Sequence, residues 1–449
     1  MGKLFGTDGI RGVANEELTP ELAYRTGQIA GEVLMEGREG RGLVLIGRDT
    51  RQSGEMLHHS LVSGLLSTGM DVVDLGVIPT PGVAYLVRKY QADMGIVISA
   101  SHNPYIYNGI KIFDKTGYKL PDAIEEKIEE KLLNEEYRSP LAHGDDIGRI
   151  RHDFRGAEDY KDYLMGLMDE DISDKIIAMD LGNGALSHMA QDVLESLGAT
   201  VYAINNSPNG KNINDQCGST DPGKIQALVK EKKADIGLSF DGDADRIIAV
   251  DAKGNIIDGD HILAICAMQL KEEGKLTNNM VVGTIMTNIG LDRYLESIGV
   301  EITKTKVGDR YVLESMCENN YVLGGEQSGH IIFKDYNTTG DGLATGIHLL
   351  QVMAKTGKTS DELNGLMTSY PQVLVNAKVA KDKKDAYLHH EGIQKSIQEV
   401  EEKFKGNGRV VIRPSGTEPL VRVMIEGDDQ EILEKCAREL AEEIERELA

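Results

Sequence analysis

The sequence predicts an α/β protein: three repeated mixed-sheet α/β domains and a smaller α+β C-terminal domain around a central cleft. Three observations lead there. One order of strands and helices recurs three times, the pattern changes after Tyr370-Pro371, and each of the four units carries one polar, glycine-bearing loop between two hydrophobic runs. A length of 449 residues also exceeds one ordinary core, since domains commonly span about 100 to 150 residues.

Each repeat opens on a buried strand ending in a polar or glycine-bearing turn that leads into a helical pattern. These strands are LVLIGRDTR from Leu43, KIIAMDLGNG from Lys175 and VVGTIMTN from Val281. A glycine then ends the helix and a second strand follows, in GMDVVDLG from Gly69, GATVYAIN from Gly198 and GVEITKTKVG from Gly299. Each repeat closes as strand, polar loop, strand: IVISASHNPYIYNGIKIF, IGLSFDGDADRIIAVD and VLGGEQSGHIIFK. This alternation implies mixed, largely parallel sheets whose loops are suited to ligand binding. The fourth unit reads VLVNAKVA, a charged helical stretch, RVVIRPSGTEPLVRVMIEG, and a last helix with Ile432, Leu433, Cys436, Leu440, Ile444 and Leu448 on its expected buried face. The expected domains are 1–153, 154–254, 255–368 and 369–449.

Composition narrows the function. The charge of −24, from 49 basic and 73 acidic residues, repels nucleic acid and anionic membranes, so any bound phosphate needs a local pocket. Cys217, Cys266, Cys317 and Cys436 show no metal or disulfide spacing and read as reduced thiols. The start lacks the apolar run of a signal peptide and no apolar stretch is long enough to cross a bilayer, so a cytoplasmic location is expected.

In Ser99-Ala100-Ser101-His102-Asn103-Pro104, the Asn-Pro turn is expected to present a serine hydroxyl outward, as a nucleophile or as an ordinary turn residue. Asp241, Asp243 and Asp245 alternate with small residues, a spacing that lets three carboxylates face one hard cation, with a bare turn as the rival. Arg246 and Ala252, at the sixth and twelfth positions, exclude a calcium EF-hand, and Mg2+ completed by a phosphate oxygen fits best. The turn Gly324 to His330 offers Glu326, Ser328 and His330 to sugar hydroxyls, or is a simple turn. Arg413-Pro414-Ser415-Gly416-Thr417 reads as a phosphate clamp, with a solvated turn as its rival. Two nucleotide motifs are incomplete: Val352 stands where the first P-loop glycine belongs before Gly357-Lys358-Thr359, and Ser187 replaces the third glycine of a dinucleotide turn.

These loops, with FGTDGIRG near the start and KVGDRYV, resemble the α-D-phosphohexomutase family over essentially the whole chain. Within it they are most similar to the branch acting on glucosamine phosphates. The resemblance implies interconversion of glucosamine 6-phosphate and glucosamine 1-phosphate through phosphoserine at Ser101 and glucosamine 1,6-bisphosphate as intermediate or activator. It implies one Mg2+ per chain, held by Asp241, Asp243, Asp245 and the Ser101 phosphate. It further implies catalytic roles for Arg11, which contacts the phosphoserine, for His102, and for Lys111, a proton acceptor if burial near cations lowers its pKa. Arg246, Asp309, Glu326, Ser328 and His330 match substrate contacts, and Arg413, Ser415, Gly416 and Thr417 match the distal phosphate site. Asp309 replaces a histidine of the mannose/glucose branch; it is a candidate for reading the C2 ammonium, or else a helix cap at Arg310. The expected partner is a small sugar phosphate, not nucleic acid or membrane. A kinase that first loads Ser101 and a homodimer stay open. The rival functions are those of the mannose/glucose branch of the same family, a metal-dependent phosphatase and a non-catalytic sugar-phosphate sensor.

Overall fold

The computed structural model describes residues 4–6, 8–37, 40–153, 155–414 and 419–448. The threefold repeat is visible as one strand order in three sheets. In the first, Asp71–Val77, Leu43–Arg48, Met94–Ile98 and Tyr107–Asp114 lie side by side; the first three are parallel and the last returns antiparallel. The second repeats this with Thr200–Ile204, Ile176–Asp180, Ile236–Phe240 and Ile247–Asp251, and the third with Glu301–Thr305, Met280–Thr284, Leu323–Gly325 and Ile331–Phe333. The polar loops are therefore hairpin connections leaving the carboxyl ends of parallel strands, where open α/β sheets bind ligands.

Gly69, Gly198 and Gly299 sit one residue beyond the helix C-caps Thr68, Leu197 and Ile298, with φ of 88°, 99° and 66°. The left-handed backbone at that position favours glycine and turns the chain into the next strand. The first sheet grows to seven strands, with Gly9–Val13 pairing antiparallel to Tyr107–Asp114 so that Arg11 lies opposite Gly109. An N-terminal motif is thereby set beside the Ser101 hairpin.

The second and third repeats share a core running from Tyr160 to Met367. Helix Gly342–Thr356, from the third repeat, packs on the second sheet, where Gly346 leaves room for Leu238 and Ile247. The fourth unit is an antiparallel sheet of Gln372–Lys378, Leu420–Glu426 and Arg409–Pro414 with helices Glu391–Phe404 and Gln430–Leu448. One expectation is corrected. Ile432 is exposed, because the buried stripe runs through Leu433, Cys436, Ala437, Leu440, Ala441, Ile444 and Leu448, and Ile432 lies one helical step to its side. Cys217, Cys266, Cys317 and Cys436 are free thiols, and no described helix is long and apolar enough to cross a membrane.

Candidate active site

Ser101 follows strand Met94–Ile98 and is buried rather than presented outward, because the second repeat's loop closes over it. Its Oγ donates to Asp241 Oδ2 at 2.5 Å and lies 3.5 Å from His102 Nδ1. The two loops meet so closely that a Cβ on Gly242 would come within 2.7 Å of the Ser101 carbonyl oxygen. Ser101 and Ala244 have φ of 50° and 58°, a left-handed backbone that costs a non-glycine residue on the order of 1–3 kcal/mol. Such strain persists only where the surroundings over-determine it, and here it falls in both facing loops.

Ligand atoms of Asp241, Asp243 and Asp245 lie within 4.8 Å of one another, and all three residues are buried. Asp243 Oδ1 and Asp245 Oδ1 have no hydrogen-bond partner among the described residues. Burial, with Asp245 and Asp243 beside it, pushes the Asp241 carboxyl well above the usual carboxylate range. Buried acceptors without hydrogen bonds and mutually repelling acids suit a hard divalent cation, so this donor set fits a metal such as Mg2+. A phosphate on Ser101 would remove the hydroxyl proton now shared with Asp241 and set a dianion against that carboxylate, which adds to the demand for a cation.

Lys111 Nζ lies 2.8 Å from Asp8 Oδ2, 2.8 Å from Asp243 Oδ2 and 3.4 Å from Asp245 Oδ2. The condition that burial near cations lowers its pKa is not met. Burial and Arg11 do act in that direction, but Asp243, Asp8 and Asp245 outweigh them and hold the ammonium well above its ordinary value. His102 is the opposite case: burial, then Arg246 and Arg11, bring its imidazole down to about 4, so it is neutral near pH 7. Arg11 pairs with Asp8 at 2.8 Å and remains part-exposed.

On the substrate side, Arg246 lies beside Asp245, Glu326 accepts from Gly308 N–H at 3.0 Å, and Ser328 is exposed. His330 accepts from Gly340 N–H through Nε2 at 3.0 Å and directs Nδ1 at Asp245 Oδ2, 3.8 Å away. The N-cap position is Gly308, but Asp309, the first helical residue, does accept from Arg310 N–H through Oδ1 at 2.9 Å; its Oδ2 pairs with Lys119 and lies 3.6 Å from His330 Nε2. Arg413 stands opposite Arg422 in the sheet register, a like-charge pair that an anion would relieve, and its Nε is buried without a hydrogen-bond partner among the described residues. Ser415, Gly416 and Thr417 lie outside the described residues.

The four sequence profiles of one family match in order. The descriptions phosphoglucomutase/phosphomannomutase alpha/beta/alpha domains I, II and III cover residues 2–139, 159–254 and 258–370, and the C-terminal domain covers 374–443. The chain belongs to the phosphoglucomutase/phosphomannomutase family. Similar members include the phosphoglucosamine mutases of Alkaliphilus oremlandii, 55% identical over 448 residues, and Ruminiclostridium cellulolyticum, 55% identical over 449, each with full coverage of both chains. A phosphoglucomutase/phosphomannomutase family protein from Burkholderia thailandensis superposes with a TM-score of 0.81 at 25% identity, covering 99% of this chain and 98% of its own. The fold is also that of Aspergillus fumigatus N-acetylphosphoglucosamine mutase, solved with GlcNAc-6P and magnesium, at 17% identity, TM-score 0.71 and coverage of 100% and 96%. The resemblance, the fold class and the phosphohexomutase enzyme class read from the loops are borne out.

Within this phosphoglucomutase/phosphomannomutase site, four residues carry contacts that the loop motifs did not reveal. Asp8 joins Lys111, Lys119 and Arg11; burial opposes its charge, but those three cations hold its carboxyl well below the usual range. Its signal was an acid between residues of the FGTDGIRG motif in a chain whose site must gather cations. Lys119, Arg51 and Asn214 gave none: apart from Asp49, two residues from Arg51, their partners lie 111 to 190, 50 to 53 and 111 to 113 residues away.

Proposed function

We propose that this chain interconverts glucosamine 6-phosphate and glucosamine 1-phosphate through phosphoserine-101. The observation that carries the proposal is the Ser101 hydroxyl bonded to one of three clustered aspartates, in a chain over half identical along its full length to phosphoglucosamine mutases. A divalent cation held by Asp241, Asp243 and Asp245 would supply positive charge to the transferring phosphoryl oxygens. Arg11 and the Lys111 ammonium add charge of the same sign. In the first half-reaction the bond from phosphorus to Ser101 Oγ breaks, a bond to the sugar oxygen forms, and glucosamine 1,6-bisphosphate results. We assign acceptance of the sugar hydroxyl proton to neutral His102 and proton donation toward the departing serine oxygen to Lys111. The bisphosphate then turns end for end, so that one serine serves both C1 and C6, and returns its other phosphoryl group to Ser101.

Burial of Ser101 supports a mutase over the phosphatase reading, because water must be kept from the phosphoserine. Arg413, Ser415, Gly416 and Thr417 are assigned to the distal phosphate, and Arg246, Glu326, Ser328 and His330 to the sugar. Arg413→Ala is expected to raise KM for the monophosphate by about tenfold or more, the worth of a charge-assisted hydrogen bond, and to release bisphosphate during turnover. An unchanged KM with no bisphosphate by ion-exchange chromatography would remove Arg413 from the clamp.

Sugar choice is assigned to Asp309, whose pairing with Lys119 shows that the carboxylate already holds an ammonium at the cleft wall. The preference for glucosamine 6-phosphate over glucose 6-phosphate in kcat/KM is expected to fall about tenfold or more in Asp309→Asn. Equal losses for both sugars would make Asp309 structural, a partner of Lys119 and of Arg310 N–H. A wild-type preference for the neutral sugar would favour the mannose/glucose branch of the family. On this reading the enzyme is cytoplasmic and supplies amino-sugar 1-phosphate to nucleotide-sugar and cell-wall synthesis.

A further inference from the structure

Arg51 heads the large side chains that are fully buried, and a charge out of water must spend its donors on partners. Its Nε donates to Asp49 Oδ2 at 2.8 Å. The rest of the fork goes to backbone of the nucleophile loop: Nη1 to Pro104 O at 2.6 Å, and Nη2 to Ser101 O at 2.7 Å and Asn103 O at 2.8 Å. Asp49 acts on the other side of the same residue. Its Oδ2 accepts from Ser99 Oγ at 2.6 Å, and Ser99 Oγ in turn accepts from Ser101 N–H at 2.9 Å. One buried ion pair thus holds both the N–H and the C=O of Ser101. Asn214 adds a second hold from the next repeat, donating from Nδ2 to Ser101 O at 2.9 Å and to Asn103 O at 3.3 Å.

The consequence lies in the backbone of Ser101, held at φ 50° where a serine is not at ease. With the peptide trans and planar, fixing the Ser101 carbonyl inward turns the His102 N–H to the opposite side, away from the guanidinium. We propose that Arg51 is a positioning residue for the transfer. Through Asp49 below and the loop carbonyls above, it locks Ser101 into the left-handed conformation that aims its Oγ at the three aspartates. Asn214 makes that lock depend on the docking of the second repeat. Neither residue touches the reacting atoms. The inference rests on the phosphoserine reading of Ser101. A lysine at 51 could keep the pairing with Asp49, but one ammonium cannot reproduce a planar fork spread over three carbonyls.

The test compares wild type, Arg51→Lys and Asn214→Ala as full chains, each loaded at Ser101 by sugar bisphosphate and checked by intact mass. Arg51→Lys is expected to retain most of its Tm and to lose kcat about a hundredfold, the scale of a misplacement near 1 Å, with KM changed by less than about threefold. Its crystal structure is expected to show Ser101 outside the left-handed region. Asn214→Ala, which leaves the ion pair intact, is expected to lower kcat about fivefold at unchanged KM. It decides the matter if Arg51→Lys does not fold. Wild-type kcat in either folded variant, or an unmoved Ser101 in the Arg51→Lys crystal, overturns the positioning role. Failure of the underlying reading looks different: Ser101→Ala would remain active whatever residue 51 is.

Discussion

Ser101→Ala is expected to lose mutase activity by about 10⁴-fold or more, the scale seen when a covalent nucleophile is removed, with a stability change of only about 1 kcal/mol. The small stability effect follows from where the hydroxyl goes. It makes one short hydrogen bond, to a carboxylate that also accepts from Arg246 N–H, and a long contact to His102 Nδ1, and alanine keeps the same backbone holds through Arg51 and Asn214. Ser101→Gly separates chemistry from strain. Glycine occupies φ 50° without a steric cost, so that variant is expected to be equally inactive yet no less stable than the alanine variant. The pair is checked by coupled assay and thermal unfolding; residual turnover above about one per cent in either would end the carrier role.

Asp243→Asn is expected to carry the second-largest effect, a fall of about 10³-fold in activity at Mg2+ levels that saturate the wild type, because the oxygen it neutralises belongs to the donor set. Binding to the folded state alone raises stability by RT ln(1 + [L]/Kd), about 2.7 kcal/mol at a hundred times Kd. The wild type should therefore gain Tm with Mg2+ and the variant much less. pH adds a sign. Burial, with Asp245 and Asp243 alongside, raises the Asp241 pKa in the metal-free fold, so ionising that group weakens the fold as pH rises through the raised value, and protons compete with the cation below it. Mg2+-dependent stabilisation is thus expected to grow with pH. An Asp243→Asn variant with unchanged Mg2+ titration by calorimetry would contradict the ligand assignment.

The threefold strand order and the helix-ending glycines were legible in the sequence because both are set by local periodicity and by φ at single positions. The aspartate cluster was legible for the same reason: its three acids are neighbours in one loop. Contacts made across the chain were not. Lys111 was misread because its environment is built by Asp8 and by acids more than 130 residues away, which no local window contains. The Ser101 hydroxyl was expected to face outward, but loop chemistry alone cannot report that Gly242 lets another repeat close over it. The bond from Arg310 N–H to Asp309 was legible as a local cap, one residue away. The partner of its other oxygen, Lys119, became visible only once the third repeat was docked on the first.

The most direct measurement of the central claim is a single-turnover transfer from enzyme carrying ³²P at Ser101, mixed with unlabelled glucosamine 6-phosphate and quenched over time. The label is expected to leave the protein, to pass through glucosamine bisphosphate and to accumulate in sugar monophosphate. Label recovered as inorganic phosphate, or retained on the protein while product forms, would contradict it.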